Sequence, residues 1–459
     1  MIRTSINFLA KACNGKVLGQ QEAFVENVKI DSREASEGDM FVCVVGEFNN
    51  GHDYADSAYQ GGCRCFLMSD EFAAGELASK YPDASVILSD NTIDAFEKMA
   101  ESYLAQFSVK KVAVTGSVGK TTTKMLTAAV LGSRYNTICT QKNLNTNLGL
   151  CLTCFMADKS TEAIVFEMGM DAKGQITEYV SFIRPELAII TNVGISHMER
   201  LGSRDAIADA KLEITGQFTE SNALVVNSES DYLKTEEEIR DRSLNKNNYK
   251  IIFAKKPESI SNNGLNGVEF ELDGQKYNLP LIGEHNVIDA VLAIRAGQEL
   301  GISPEEAAKG LAGVVSTERR LKAESVRGFM LLDDSYNASP DSMKAGLAAL
   351  AAAEGKRKIA ILSDMYELGD AEEEGHFEVG AAAAENNIDI LIAVGENSSL
   401  YSQGVSSVKG TTCNVIELGT NRSAADLAMQ LLREGDVVLV KGSNGTKVSE
   451  VAEFIRKGE

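Results

Sequence analysis

The chain is short of positive charge. Its 459 residues carry 45 lysines and arginines against 66 aspartates and glutamates, for a formal net charge of -21. With no basic field to gather phosphates, such a chain is a poor general binder of nucleic acid or of an anionic membrane. Any anionic ligand has to be held locally, by a few cations, backbone N–H groups or a metal. Long apolar runs are missing too. Nothing approaches the roughly 18 uninterrupted apolar residues of a membrane helix, and the apolar stretch in MIRTSINFLAKACNGK is too short for a signal peptide. The expectation is a soluble, cytoplasmic chain without a membrane span, and nothing demands more than a monomer. Histidine is scarce, with only His52, His197, His285 and His376. The eight cysteines include Cys63-x-Cys65 and Cys151-x-x-Cys154. No second pair follows either at zinc-finger spacing, so the plainer reading is small apolar residues in a reducing cytosol.

What is present is ordinary globular composition, 44% hydrophobic and 24% charged, long enough for about three domains at roughly 150 residues each. Short apolar runs alternate with longer helical patterns, the signature of βαβ units around a parallel sheet. In the middle third the strand candidates are KVAVT (111–115), EAIVFEMG (162–169), LAIITNVG (187–194) and NALVVNS (222–228). In the last third they are FMLLDDS (329–335), KIAILSD (358–364), DILIAVG (389–395) and DVVLVKG (436–442). The first hundred residues have shorter elements and a helix ending near Gln106. The predicted domains are 1–108, 109–315 and 316–459, all α/β: a small first unit, a P-loop-type parallel-sheet unit and a Rossmann-like unit.

In open α/β sheets ligands bind beyond the carboxyl ends of the strands. The first middle strand runs into VTGSVGKTTTK, Val114 to Lys124. This has the shape of a phosphate loop, but Val114 stands where the G-x-x-x-x-G-K-[ST] pattern begins with glycine. Gly116, Ser117 and Gly119 let backbone amides face a phosphate, the helix N-terminus favours negative charge, and Lys120 can reach the β/γ oxygens. Thr121 has the hydroxyl expected on Mg²⁺, and Thr122 follows it. A plain Gly-rich turn is the bland alternative. The second strand delivers Glu167, a reasonable metal ligand at the mouth or a mere solvated strand end. The third exposes His197 in TNVGISHMERLG. Lys211, in the helical run SRDAIADAKLEI, reads by itself as a surface lysine.

Taken together these segments resemble the Mur ligase family, ATP-dependent enzymes that build the peptide stem of peptidoglycan precursors. That family has the shorter loop T-G-[ST]-x-G-K-T, so the missing glycine is not damage. The resemblance covers nearly the whole chain, through KNLNTNLGL, EMGM, GEHNVIDA (283–290), ERRL (318–321), DDSYNASPDSM (333–343), DMYELG (364–369) and VLVKGSNGT (438–446). Several of these are most similar to the member that adds a D-alanyl-D-alanine dipeptide. It implies UDP-N-acetylmuramoyl-tripeptide and D-alanyl-D-alanine as partners, and ATP with two Mg²⁺ ions as cofactors. Lys120 would clamp phosphates, Thr121 and Glu167 would hold one Mg²⁺, and His197 a second. Lys211 matches the family's carbamylated lysine, an anionic ligand. Asn286 falls at the adenine position, Arg320 at the arginine reaching the nucleotide from the last domain, and Asp334 near the ribose. Asn145, Thr146 and Asn147 match an acceptor-side loop, with Asn337 on the facing domain and Ser32 and Arg33 by the UDP end. The sequence departs from the family at Asp289, Asn444, Lys173 and Gln175. A sibling ligase adding one amino acid, a folylpolyglutamate-type synthetase and a phosphoryl-transfer kinase or other nucleotide-binding protein are the rival readings.

Overall fold

A computed structural model describes residues 1–316 and 319–458; Glu318 of the ERRL segment lies outside the described residues. Three α/β units follow one another. In the first, strands Asn27–Lys29, Asp39–Val42, Cys65–Met68 and Ser85–Leu88 run parallel, and Lys16–Gly19 closes the edge antiparallel. Cys63 and Cys65 are packed into this unit's apolar interior, where burial pushes their thiols up to about 11 and about 12.

The middle sheet has six parallel strands, in the order Lys250–Ala254, Ala223–Asn227, Leu187–Ile190, Lys110–Thr115, Ala163–Glu167 and Thr137–Cys139. Its inner strands are apolar on both faces because helices cover both sides. Lys110–Thr115 lies at the centre, so its carboxyl end opens where chain connections diverge to either side. Two strands here, Thr137–Cys139 and Lys250–Ala254, were not expected from sequence, nor was the antiparallel sheet Ile260–Asn262, Val268–Leu272 and Gln275–Leu279.

The last sheet, in the order Lys322–Val326, Phe329–Asp334, Val437–Lys441, Lys358–Ser363, Ile390–Val394 and Asn414–Leu418, is parallel except for its first strand. Every strand candidate named above lies on an observed strand; Lys110–Thr115 begins one residue earlier than expected, and the others are shorter by one to four residues.

The units are joined unequally. One continuous apolar core runs from Ile6 and Leu9 through helix Thr92–Leu104 into the middle unit. At that seam Phe155 packs against Phe96 (ring centroids 5.6 Å apart) and Tyr103 (5.0 Å), while the Tyr103 hydroxyl donates to the Ala157 carbonyl at 2.6 Å. The last unit instead faces the middle one across a cavity of about 610 Å³.

Candidate active site

The cavity is built from loop ends. Lys110–Thr115 stops at Gly116, and helix Lys120–Gly132 starts after Gly119, whose φ of +85° is left-handed. Neither position admits a side chain. A Cβ on Gly116 would sit 1.8 Å from Thr191 Oγ1, and one on Gly119 2.7 Å from Asp289 Oδ1. The turn therefore brings Ser117–Thr122 against the cavity, with the helix N-terminus aimed into it. The loop after Leu187–Ile190 braces this turn: Asn192 Oδ1 accepts from Ser117 N at 3.1 Å and Val118 N at 2.9 Å, and Gly194 N donates to Ser117 Oγ at 2.9 Å. Sequence reasoning passed over Asn192, although it sits inside the TNVG segment.

Lys120 folds over its own turn, donating to Gly116 O at 2.7 Å and Ser117 O at 3.1 Å. Burial lowers its pKa, only partly offset by Glu167. Glu167 is 2% exposed and its Oε1 accepts from the Thr121 hydroxyl and from Asn145 Nδ2, each at 3.1 Å. Its Oε2 lies 3.0 Å from the Lys124 ammonium but makes no aligned hydrogen bond. The contact is charge against charge. Burial works to raise the Glu167 pKa, but Lys124 and Lys120 outweigh it and hold the carboxylate ionised. Lys124 was also missed, although at four residues past Lys120 it lies on the same helix face.

The last unit supplies the opposite wall. Arg320 reaches across, donating from Nη2 to Thr121 Oγ1 at 2.9 Å, with its guanidinium 4.2 Å above the Tyr336 ring. Asp334 pairs with Lys441 Nζ at 2.6 Å, and Lys441 also donates to Asn337 O at 2.9 Å. Burial raises the Asp334 pKa against that pairing. Asn286, on helix His285–Glu299, lines the cavity and donates to Ile282 O at 2.8 Å. Asp289, where the family often has asparagine, packs on Gly119, and burial raises its pKa to about 8.

Of the acceptor-loop residues, Asn145 and Thr146 line the cavity. Asn147 turns away and donates to Glu178 Oε1 at 3.1 Å, because it begins the helix Asn147–Phe155 facing helix Gln175–Ile183. Ser32 and Arg33 lie off the cavity on the first unit, where Arg33 pairs with Asp31 at 2.6 Å. Asn444 is exposed and also off the cavity. Gln175 ties back the loop that follows Glu167, accepting from Asp171 N at 2.8 Å and donating to Asp171 Oδ1 at 2.7 Å. His197 lines the cavity, its Nδ1 2.7 Å from Glu367 Oε2 of the last unit. Lys211 is 1% exposed, and among the described residues its ammonium has neither an ion pair nor a hydrogen bond. Burial, helped by nearby Lys120, lowers its pKa well below the ordinary value.

A glycine-turn phosphate site whose far wall is a second α/β unit defines a phosphate-handling enzyme that works between two domains. Family models name the parts. The Mur ligase family catalytic domain matches residues 24–104, the Mur ligase middle domain 114–297, and the Mur ligase glutamate ligase domain 319–444. The chain belongs to the Mur ligase family. It is 33% identical to the UDP-N-acetylmuramoyl-tripeptide–D-alanyl-D-alanine ligase of Bacillus subtilis, over 98% of both chains. It is 30% identical to the Escherichia coli protein of that name, over 100% of this chain and 99% of the other. A crystal structure of MurF from Acinetobacter baumannii superposes with a TM-score of 0.87 at 26% identity, covering 99% of each chain.

Proposed function

We propose that the chain joins D-alanyl-D-alanine to UDP-N-acetylmuramoyl-tripeptide, with ATP cleaved to ADP and phosphate. The observation that carries this reading is the full-length similarity to ligases of that name, together with a cavity whose two walls come from different units. A carboxylate does not acylate an amine unless it is activated. The tripeptide carboxylate attacks the γ-phosphate to give an acyl phosphate and ADP; the neutral amine of the dipeptide then attacks the acyl carbon and phosphate leaves.

Each residue has a task in that sequence. The amides of Gly119–Thr122 at the helix N-terminus and the Lys120 ammonium cradle the phosphates, and Arg320 adds charge from the opposite wall as the phosphoryl group moves. Asn286 faces the adenine, Asp334 the ribose, and Asn145, Thr146 and Asn337 the acceptor side. Asn147 acts from behind, holding helix Asn147–Phe155 through Glu178. Ser32 and Arg33 take the UDP end on the first domain, within the division 1–108, 109–315 and 316–459. Closure of the last unit keeps water from the acyl phosphate.

The Thr121 hydroxyl and the Glu167 carboxylate are a hard-oxygen pair that fits Mg²⁺. The ion supplies charge neutralisation on the phosphate oxygens when bound. An ammonium at Lys211 would repel a second cation at His197. Lys211 is enclosed with no anionic partner among the described residues, and burial lowers its pKa well below the ordinary value, which favours the neutral amine that adds CO₂. As a carbamate it would become an anionic ligand, which with His197 would hold the second Mg²⁺. We place the enzyme in the cytoplasm as a monomer.

Phosphate release from ATP is expected to depend on both UDP-N-acetylmuramoyl-tripeptide and D-alanyl-D-alanine, and to fall roughly 10²–10³-fold in Lys120→Ala. ADP formation with no free phosphate would favour a kinase-like activity instead, and equal release with a single amino acid a sibling ligase.

A further inference from the structure

The DMYELG segment has a role that the reading above leaves unfilled. It lies in the last unit, yet its Glu367 carboxylate touches a residue of the middle unit: Oε2 is 2.7 Å from His197 Nδ1. The contact lies off the line of a good N–H hydrogen bond, and among the described residues Nδ1 has no other partner. Both residues are held in left-handed backbone, His197 at φ +64° and Glu367 at φ +65°, where non-glycine residues are uncommon. A pair whose carboxylate is 53% exposed gains little stability, less than two such conformations cost. Stability alone therefore does not account for the arrangement.

The segment is also rigidly built. Asp364 accepts from Glu396 N at 3.0 Å and Asn397 N at 3.1 Å, Met365 N donates to His376 Nε2 at 3.0 Å, and Tyr366 N donates to Ser443 Oγ at 2.9 Å. His376 is itself oriented by Glu372 O at 2.7 Å. At Gly369 the segment comes so close to helix Met198–Leu201 that an added Cβ would lie 3.2 Å from Glu199 Cα. Glu367 is thus presented to His197 by a braced loop and not by a free side chain.

We propose that Glu367 is a positioning residue for His197. Its charge, 2.7 Å from Nδ1, favours the tautomer with the proton on that nitrogen and leaves the Nε2 lone pair for a cation in the cavity. Carboxylates behind ligating histidines do this elsewhere, fixing the tautomer and ring orientation. Here the carboxylate comes from the other domain, so His197 is correctly set only when the last unit is closed on the middle one. Metal binding and domain closure then reinforce one another. The inference rests on the reading of His197 as a cation ligand.

The test is Mn²⁺ binding to the full chain, followed by electron paramagnetic resonance with a non-hydrolysable ATP analogue present. His197→Ala is expected to weaken Mn²⁺, Glu367→Ala to weaken it about tenfold, and Glu367→Gln less, since its amide oxygen can still accept. In the His197→Ala background Glu367→Ala is expected to cost nothing further. Thermal midpoints are expected to stay with the parent; if the alanine variant unfolds early, the glutamine variant carries the comparison. Parent-like Mn²⁺ affinity in both Glu367 variants, with His197→Ala weakened, overturns the positioning role alone. Parent-like affinity in His197→Ala removes the ligand assignment, and the inference with it.

Discussion

Lys211 shows how far a single residue can mislead when read from sequence. On the helix SRDAIADAKLEI it looks like a surface cation among carboxylates, but the fold encloses it and gives it no anion among the described residues. Only the family resemblance pointed inward. Arginine preserves the charge and cannot form a carbamate, so Lys211→Arg and Lys211→Ala are both expected to be nearly inactive. In ¹³C-bicarbonate the parent is expected to show a carbamate resonance that both variants lack. A parent-like Lys211→Arg enzyme would return the residue to the status of an ordinary cation. The glycines and Lys120 were legible because their chemistry is local. Lys124, Asn192 and Glu367 were not, since each acts through a partner 40 or more residues away that only the fold brings near.

At the scale of elements, the long apolar strands were legible and the short ones were not. Thr137–Cys139 is a three-residue edge strand, and Lys250–Ala254 follows a polar run, so neither offers a period to read. The packing of helix on helix was equally hidden. Glu97 of helix Thr92–Leu104 abuts Glu178 of helix Gln175–Ile183, and burial, then Glu178, raise the Glu97 pKa to about 8. The folded chain therefore keeps a proton there that the unfolded chain gives up near 4.5. The sign follows: stability falls as pH rises from about 4.5 to about 8, since the native state binds the extra proton. Glu97→Gln keeps the shape without the titration. Its thermal midpoint is expected to exceed the parent's by a margin that grows from pH 5 to pH 8; a margin independent of pH would rule this linkage out.

Across the whole molecule the two junctions differ in kind. The first is a dry seam of Phe96, Tyr103 and Phe155, and the second is a cavity spanned by polar contacts such as Arg320 to Thr121. Truncating a seam ring leaves a cavity in a core that both units share, so Phe155→Ala is expected to cost about 3–5 kcal/mol. Calorimetry is expected to show the loss in one transition that carries the first and middle units together. Separate melting of those two units would contradict a shared core. Tyr336→Ala, which removes the ring under Arg320, is expected to leave that transition where it is.

The seam also sets the grain along which such an enzyme can be recombined. Exchanging the last unit with a relative's asks that polar partners across the cavity, and the few apolar contacts of Ile195, Leu265 and Ile282, find substitutes. Exchanging the first asks that three aromatic rings from two parents interlock, so a graft that respects every strand boundary but mixes Phe155 with a foreign Phe96 and Tyr103 inherits a mismatched core. The workable splice runs inside the middle unit, taking helix Asn147–Phe155 along with the first hundred residues.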